Sequence, residues 1–232
     1  MKNLRTTALK NFVYILLISI TTLLSCNSPL FSGKLSEGII EYDISYPYPE
    51  ELTMGVDMMP KLMKYHFSEG LTSSQISAGM GLLQSDVISN REQQSLTQTL
   101  LILGKKYKVV YGKKDIDSVV ASEPKMKLIH GNETKKIAGY KCKKVRCDYE
   151  DPTLADVDIY YTTDIKISEP NWFSVYSGIE GVLMEFYLYR YNIHMKLTAK
   201  TVIKESLEPT VFEVDSDYKS ISTKEMDSYF KM

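Results

Sequence analysis

The chain is poor in the residues that usually carry chemistry. It has three histidines, three cysteines and one tryptophan in 232 residues. His66, His130 and His194 stand at no metal-ligand spacing from one another, from a cysteine or from a carboxylate, so no locally encoded metal site is expected. No G-x-S-x-G elbow, P-loop or G-x-G-x-x-G occurs, and Glu180 between Gly178 and Gly181 would repel a phosphate. The acidic stretch Asp148, Glu150, Asp151, Asp156 and Asp158 lacks the central glycine and terminal glutamate of a calcium loop. It reads as a hydrated hairpin loop around Pro152. No catalytic residue and no cofactor is expected, and the chain is read as non-enzymatic.

Positive charge is not in excess either, and no apolar run reaches the roughly 20 residues that a membrane-crossing helix needs. The run at residues 12–24 covers 13 residues, follows Lys2, Arg5 and Lys10, and ends in Leu23-Leu24-Ser25-Cys26. That order of basic start, short apolar stretch and small residue before cysteine predicts a bacterial lipoprotein signal, cleaved after residue 25, with acyl chains placed on Cys26. Membrane attachment through Cys26 is therefore expected. Removing residues 1–25 leaves 207 residues and takes away three basic and no acidic residues, which turns a formal net charge of −1 into −4. An acidic balance argues against nucleic acid as a partner.

What is abundant is alternation. After a small, polar tether at residues 26–37, a single β-rich domain is expected over residues 38–232. Ile40, Tyr42, Ile44 and Tyr46 alternate with Glu41, Asp43 and Ser45, and Met63, Tyr65 and Phe67 alternate with Lys64, His66 and Ser68. Residues 193–203 form the longest alternating run. Period two with one apolar face marks half-buried strands. Further strands are expected at residues 84–90, 98–103, 106–111, 125–129, 141–149, 157–162 and 182–189, with turns at Gly104, Gly112, Gly131-Asn132 and residues 190–192. The intervals are too short for parallel crossovers. Helices are expected only at residues 115–121, 170–176 and 223–231, the last capped by Ser222 or Thr223.

The fold class that follows is mainly β: a highly curved, largely antiparallel sheet covered by short helices and a loop. Part of the cover falls to residues 50–64, where Leu52, Met54, Met58, Met59, Leu62 and Met63 gather around Pro60. Methionine suits an adaptable apolar surface and equally suits plain core filling. All but one of the 17 tyrosines lie beyond the signal; they read either as cross-strand packing or as an amphipathic groove lining. His66 and His194 fall on the polar parity of their strands and are expected in solvent. Cys142 and Cys147 are expected as two separate thiols. Five residues of extended chain span about 16 Å and odd spacing puts the side chains on opposite faces, whereas a disulfide needs Cα atoms within about 7 Å. A turn or bulge at residues 143–146 would reverse that.

Several segments carry a family likeness. They are Glu37-Gly38-Ile39-Ile40-Glu41-Tyr42, Ile137-Ala138-Gly139-Tyr140-Lys141-Cys142-Lys143-Lys144, Tyr160-Tyr161-Thr162-Thr163-Asp164-Ile165 and Gly178-Ile179-Glu180-Gly181-Val182-Leu183. In this order they resemble the GLPGLI family of Bacteroidetes envelope proteins and related lipoproteins of unknown function with a LolA-like fold. Glu180 stands where the family has proline, and Tyr160 where it has tryptophan. The resemblance implies a curved antiparallel half-barrel with a lid, an architecture that shelters acyl chains, and implies no catalytic residues. Asn27, Ser28 and Pro29 do not resemble the acidic surface-export signal of that phylum, so an outer-membrane anchor facing the periplasm is expected. The ligand expected in the concave face is a lipid or an acylated protein, contacted by Tyr42, Ile44, Met58, Met59, Met63, Phe186 and Leu197. The rival reading is an interaction or structural module with a filled core, whose protein partner the sequence does not name.

Overall fold

The computed structural model describes residues 33–52, 55–190 and 193–230; Cys26 and Met54 lie outside them. Lys34–Met232 makes one compact unit. Its strands are β1 (Glu37–Ser45), β2 (Leu62–Ser68), β3 (Leu71–Ala78), β4 (Leu83–Asn90), β5 (Ser95–Ile102), β6 (Lys105–Tyr111), β7 (Met126–Ile137), β8 (Tyr140–Tyr149), β9 (Val157–Thr162), β10 (Val182–Arg190), β11 (Ile193–Ile203) and the short β12 (Lys219–Ser220). Among the described residues the α-helices are α1 (Lys113–Ser122) and α2 (Thr223–Phe230). All the strands join one sheet in the order β12-β6-β5-β4-β3-β2-β1-β11-β10-β9-β8-β7. Every neighbouring pair is antiparallel except β12 with β6. The order begins and ends on different strands, so the sheet is open rather than a closed barrel. The chain is thus mainly β and largely antiparallel, with few helices, as the alternation predicts.

Most of the expected inward residues do go inward, although Thr201 and Ile203 at the end of β11 stay exposed. Ile40, Tyr42 and Ile44 on β1, Met63, Tyr65 and Phe67 on β2, and Leu197 and Ala199 on β11 are buried in one core cluster with residues of β8 to β10. A second cluster forms where α1 and α2 lie against β5 and β6, burying Leu100, Val109, Tyr111, Ile116 and Met226. Both helices have local reasons to start where they do. The Gly112 N–H donates to Asp115 Oδ2 at 3.0 Å before α1, and the Glu225 N–H donates to Ser222 Oγ at 3.2 Å at the head of α2. Each satisfies backbone polar groups that a helix end leaves open.

Several expectations fail, each for a physical reason. β1 starts at Glu37 and Leu35 bridges Ile165, so the ordered sheet reaches into the expected tether. Residues 170–176 are turns, not a helix. Their polar side chains capture backbone groups that a helix would use: Ser174 Oγ donates to the Asn171 carbonyl at 3.0 Å and accepts from the Tyr176 N–H at 3.2 Å. The expected turn at Gly131-Asn132 is instead inside β7, where a register shift between His130 and Thr134 absorbs the extra residues.

Strand β3, Leu-Thr-Ser-Ser-Gln-Ile-Ser-Ala, lacks the alternation that marks a strand, because its outer face is covered as well. Ser73 Oγ and Gln75 Nε2 donate to the two oxygens of Asp86 at 2.8 and 3.1 Å. The short helical turn Pro209–Phe212 packs on β3, and Glu37 Oε1 accepts from the Leu207 N–H at 3.0 Å. His66 is buried rather than solvated, and His194 sits against the rings of Tyr48 and Tyr189. Cys142 and Cys147 are free thiols, as expected. They do not alternate faces, however: Cys142, Val145 and Cys147 are all buried in the same cluster while Lys141, Lys143 and Arg146 are exposed.

Candidate binding cavity

The two core clusters do not meet across the middle of the sheet, and the inner face of β3 and β4 explains why. Its inward positions are Ser74, Ile76 and Ala78 on β3, paired with Val87, Ser85 and Leu83 on β4. Three of the six are serine or alanine, too small to fill the space that a curved sheet encloses. What remains is a cavity of about 1290 Å³, above the roughly 300–1,000 Å³ common for small-molecule sites. Its walls come from nearly every strand, from α1 and α2, and from the turns at residues 170–176.

All seven residues predicted from the sequence to contact a ligand line this cavity: Tyr42, Ile44, Met58, Met59, Met63, Phe186 and Leu197. Register brings five of them side by side. Tyr42 pairs with Met63 across β1 and β2, Ile44 with Leu197 across β1 and β11, and Leu197 with Phe186 across β11 and β10. Tyr42 and Leu197, 2 % and 1 % exposed, form the floor. Met59 is buried, whereas Met58 is 46 % exposed and stands at the margin. Tyr46 ties down the segment that carries both, its hydroxyl donating to the Pro60 carbonyl at 2.7 Å.

Aromatic packing holds the floor in place. The Tyr42 ring meets Phe186 edge-on at 5.7 Å and Tyr65 at 6.4 Å, and its hydroxyl donates to the Leu183 carbonyl at 2.8 Å. Burial, aided by the neighbouring Tyr65 and Cys142, pushes the Tyr42 phenol well above its ordinary value, so this group is a fixed donor and not an acid. Several polar groups on the wall are held by hydrogen bonds within the protein. Tyr111 Oη donates to Gln98 Oε1 at 3.0 Å, Ser85 Oγ to the Thr99 carbonyl at 2.9 Å, and Arg190 Nη1 to Glu123 Oε1 at 3.2 Å. Burial raises the Glu123 carboxyl, with Arg190 pulling the other way.

Sequence reasoning missed Ser74, Ala78, Ser85, Gln98 and Asn171. The first three carry a faint signal, small residues on the inward parity of two adjacent strands. Asn171 carries none: its amide donates to the carbonyls of Ile179 and Gly181 at 2.9 and 2.8 Å, which fixes the turns that close one wall. Among the described residues, no group of three or more histidines, cysteines or carboxylates could hold a metal ion, and no helix is long and apolar enough to cross a membrane.

Neither a protein-family model nor a curated protein matches the sequence. Among solved structures, the chain is similar to the one described as "Structure of PNGF-II in C2 space group", with a TM-score of 0.51 and 16 % identity, over 84 % of this chain and 32 % of that one. The chain therefore spans about a third of that protein's length, and the likeness is one of fold alone.

Proposed function

We propose that this domain is a non-enzymatic binder of an apolar or amphipathic ligand, a lipid or an acylated protein, held in the concave face of its sheet. It is tethered to the outer membrane, facing the periplasm, through acyl chains on Cys26. The observation that carries the ligand reading is the cavity of about 1290 Å³, walled mainly by aliphatic, methionine and aromatic side chains. Apolar burial at roughly 25 cal/mol per Å² makes one acyl chain a sufficient driving force before the costs of ordering the chain and the lid are subtracted. The anchor rests on Leu23-Leu24-Ser25-Cys26 and the basic start before it. The envelope setting rests on the motifs that resemble the GLPGLI family.

Titrating delipidated protein with a fluorescent fatty acid tests the ligand reading. Saturable uptake, micromolar or tighter, is expected, and Leu188→Asp on the cavity wall should weaken it while the fold is kept. Well-folded protein with neither co-purified lipid nor saturable uptake sends the assignment to the second reading, an interaction module. The observation that favours that reading is β7, a 12-residue strand at the end of the sheet order. Fractionation of Cys26→Ala tests the anchor: release from the membrane, or blocked maturation, is expected, and unchanged membrane association refutes it.

A further inference from the structure

At one end of the sheet the apolar wall of the cavity continues out of the protein onto two hairpin tips. Ala78 and Leu83, at the ends of β3 and β4, and Ile102, at the end of β5, line the cavity. The residues that follow them round the turns point away from it: Met80 is 97 % exposed, Leu82 55 % and Leu103 73 %. The tips stand side by side, since the Leu103 N–H donates to the Leu82 carbonyl at 3.1 Å. Met58, on the cavity margin, packs its terminal methyl beside Gly79.

These apolar residues are not what the turns themselves call for. Leu103-Gly104 connects β5 to β6 with both residues at positive φ, 48° and 77°. In such a two-residue turn the first position favours asparagine or aspartate. Met80 likewise holds φ 55° between Gly79 and Gly81, a conformation that is costly for any residue with a Cβ. Leucine and methionine here gain neither turn chemistry nor burial, so local folding does not account for them.

We propose that the Met80-Leu82 and Leu103 tips dock on the surface of a lipid bilayer and open the cavity toward it. Three features favour a bilayer over a protein partner. The tips are narrow projections, each ending in one or two side chains, which a fluid acyl layer can close around and a rigid protein face must match with pits. Residues 78–83 and 102–105 hold no carboxylate, and their only charge is Lys105, an exposed ammonium for anionic headgroups beside apolar tips that enter the acyl boundary; Lys106 next to it is held by Asp217 at 2.7 Å. The apolar surface is also continuous from tip to cavity, so a chain leaving the bilayer has a dry route inward. The purpose assigned to the tips rests on the ligand reading above; their insertion does not.

Met80→Trp in the full-length protein places a reporter on the exposed tip, with Trp172 as the only other tryptophan. The protein is mixed with vesicles of phosphatidylcholine and phosphatidylglycerol, with and without bromine on the acyl chains. Emission from position 80 should shift to the blue on unbrominated vesicles and fall by about half or more on brominated ones, as direct contact with the acyl boundary requires. Leu82→Glu with Leu103→Glu should abolish the quenching. It should also slow fatty-acid transfer from vesicles roughly tenfold or more, with uptake from aqueous solution unchanged. Emission indifferent to bromine overturns the proposal. A blue shift that follows protein concentration instead of lipid also overturns it and assigns the tips to a second copy of the chain. Failed uptake from solution alongside bromine quenching would reject the ligand reading and leave the docking intact.

Discussion

Lys135 on β7 places its ammonium 2.8 Å from Glu185 on β10, although β8 and β9 lie between those strands in the sheet. Three strand spacings of about 4.8 Å would hold flat strands roughly 14 Å apart, so the turn end of the β7–β8 hairpin must curl back over the sheet. Ile137 and Cys142 at that end are buried in the main core. Glu185 is itself buried and also meets Lys196 at 3.2 Å.

Glu185 is therefore a clamp on the curl, and its removal should be felt. Glu185→Gln should lower stability by about 1.5–3 kcal/mol, the range for hydrogen bonds to a charged group. The change reads out as a lower urea midpoint at unchanged slope. Lys135→Met in the Glu185→Gln background should cost less than it does alone, because the two act on one contact. Full additivity would show that the pair does not hold the hairpin.

Gly181 and Gly178 look alike in sequence and should differ sharply on substitution. A Cβ at Gly181 would stand 2.4 Å from the Thr162 carbonyl oxygen and 2.6 Å from Tyr161 Cδ2, whereas at Gly178 its nearest neighbour is the mobile end of Leu128 at 3.4 Å. Gly181→Ala should destabilise by about 2 kcal/mol or more, and Gly178→Ala by under about 1 kcal/mol. Thermal unfolding of the two variants side by side checks this, and equal losses would contradict it.

The thiols of Cys142 and Cys147 should be inert in the folded protein. Burial pushes them up to about 11 and about 12, so almost no thiolate is present near neutral pH. Mass measurement after alkylation should find both unmodified under native conditions and both modified in denaturant without reductant. A disulfide between them would contradict the free thiols of the structure.

Acid should weaken the fold through His66. It is buried beside Asp86, with Nδ1 unpartnered, and desolvation lowers its pKa, Lys64 adding to the effect while Asp86, a Ser73 backbone contact and Glu205 oppose it. The unfolded chain then binds the proton more readily, so stability is complete above about pH 6.5 and declines as pH falls below it. Asp86, raised by its own burial, acts with the opposite sign at lower pH, where protonation favours the folded state. His66→Gln should flatten the decline below about pH 6.5 in urea titrations. An unchanged slope would remove His66 as its source.

The strands that face water on one side were legible in the sequence, because period two is a local signal. β1, β2 and β11 follow from it, and so do Tyr42, Ile44, Met63 and Leu197, whose alternation sets their face and leaves only register to bring them together; Phe186 lies on β10, where residues 182–186 are all buried and no alternation marks a face. Met58 and Met59 were legible from composition, as flexible apolar residues in a segment able to cover the sheet. β3 was not, because its outer face is covered by Ser73–Asp86 contacts and the C-terminal segment while Ser74 and Ala78 on its inner face border a cavity, so no polar-apolar alternation shows. The turns at residues 170–176 were misread because the competition between Ser174 and a helical ladder is decided by where the Asn171 amide finds the carbonyls of Ile179 and Gly181, partners 8 and 10 residues away. Whether the concave face is filled or hollow was likewise beyond the sequence. That depends on the volume left between Ser74, Ala78 and Ser85 and the helices opposite, a sum over residues far apart in the chain that only the folded curvature sets.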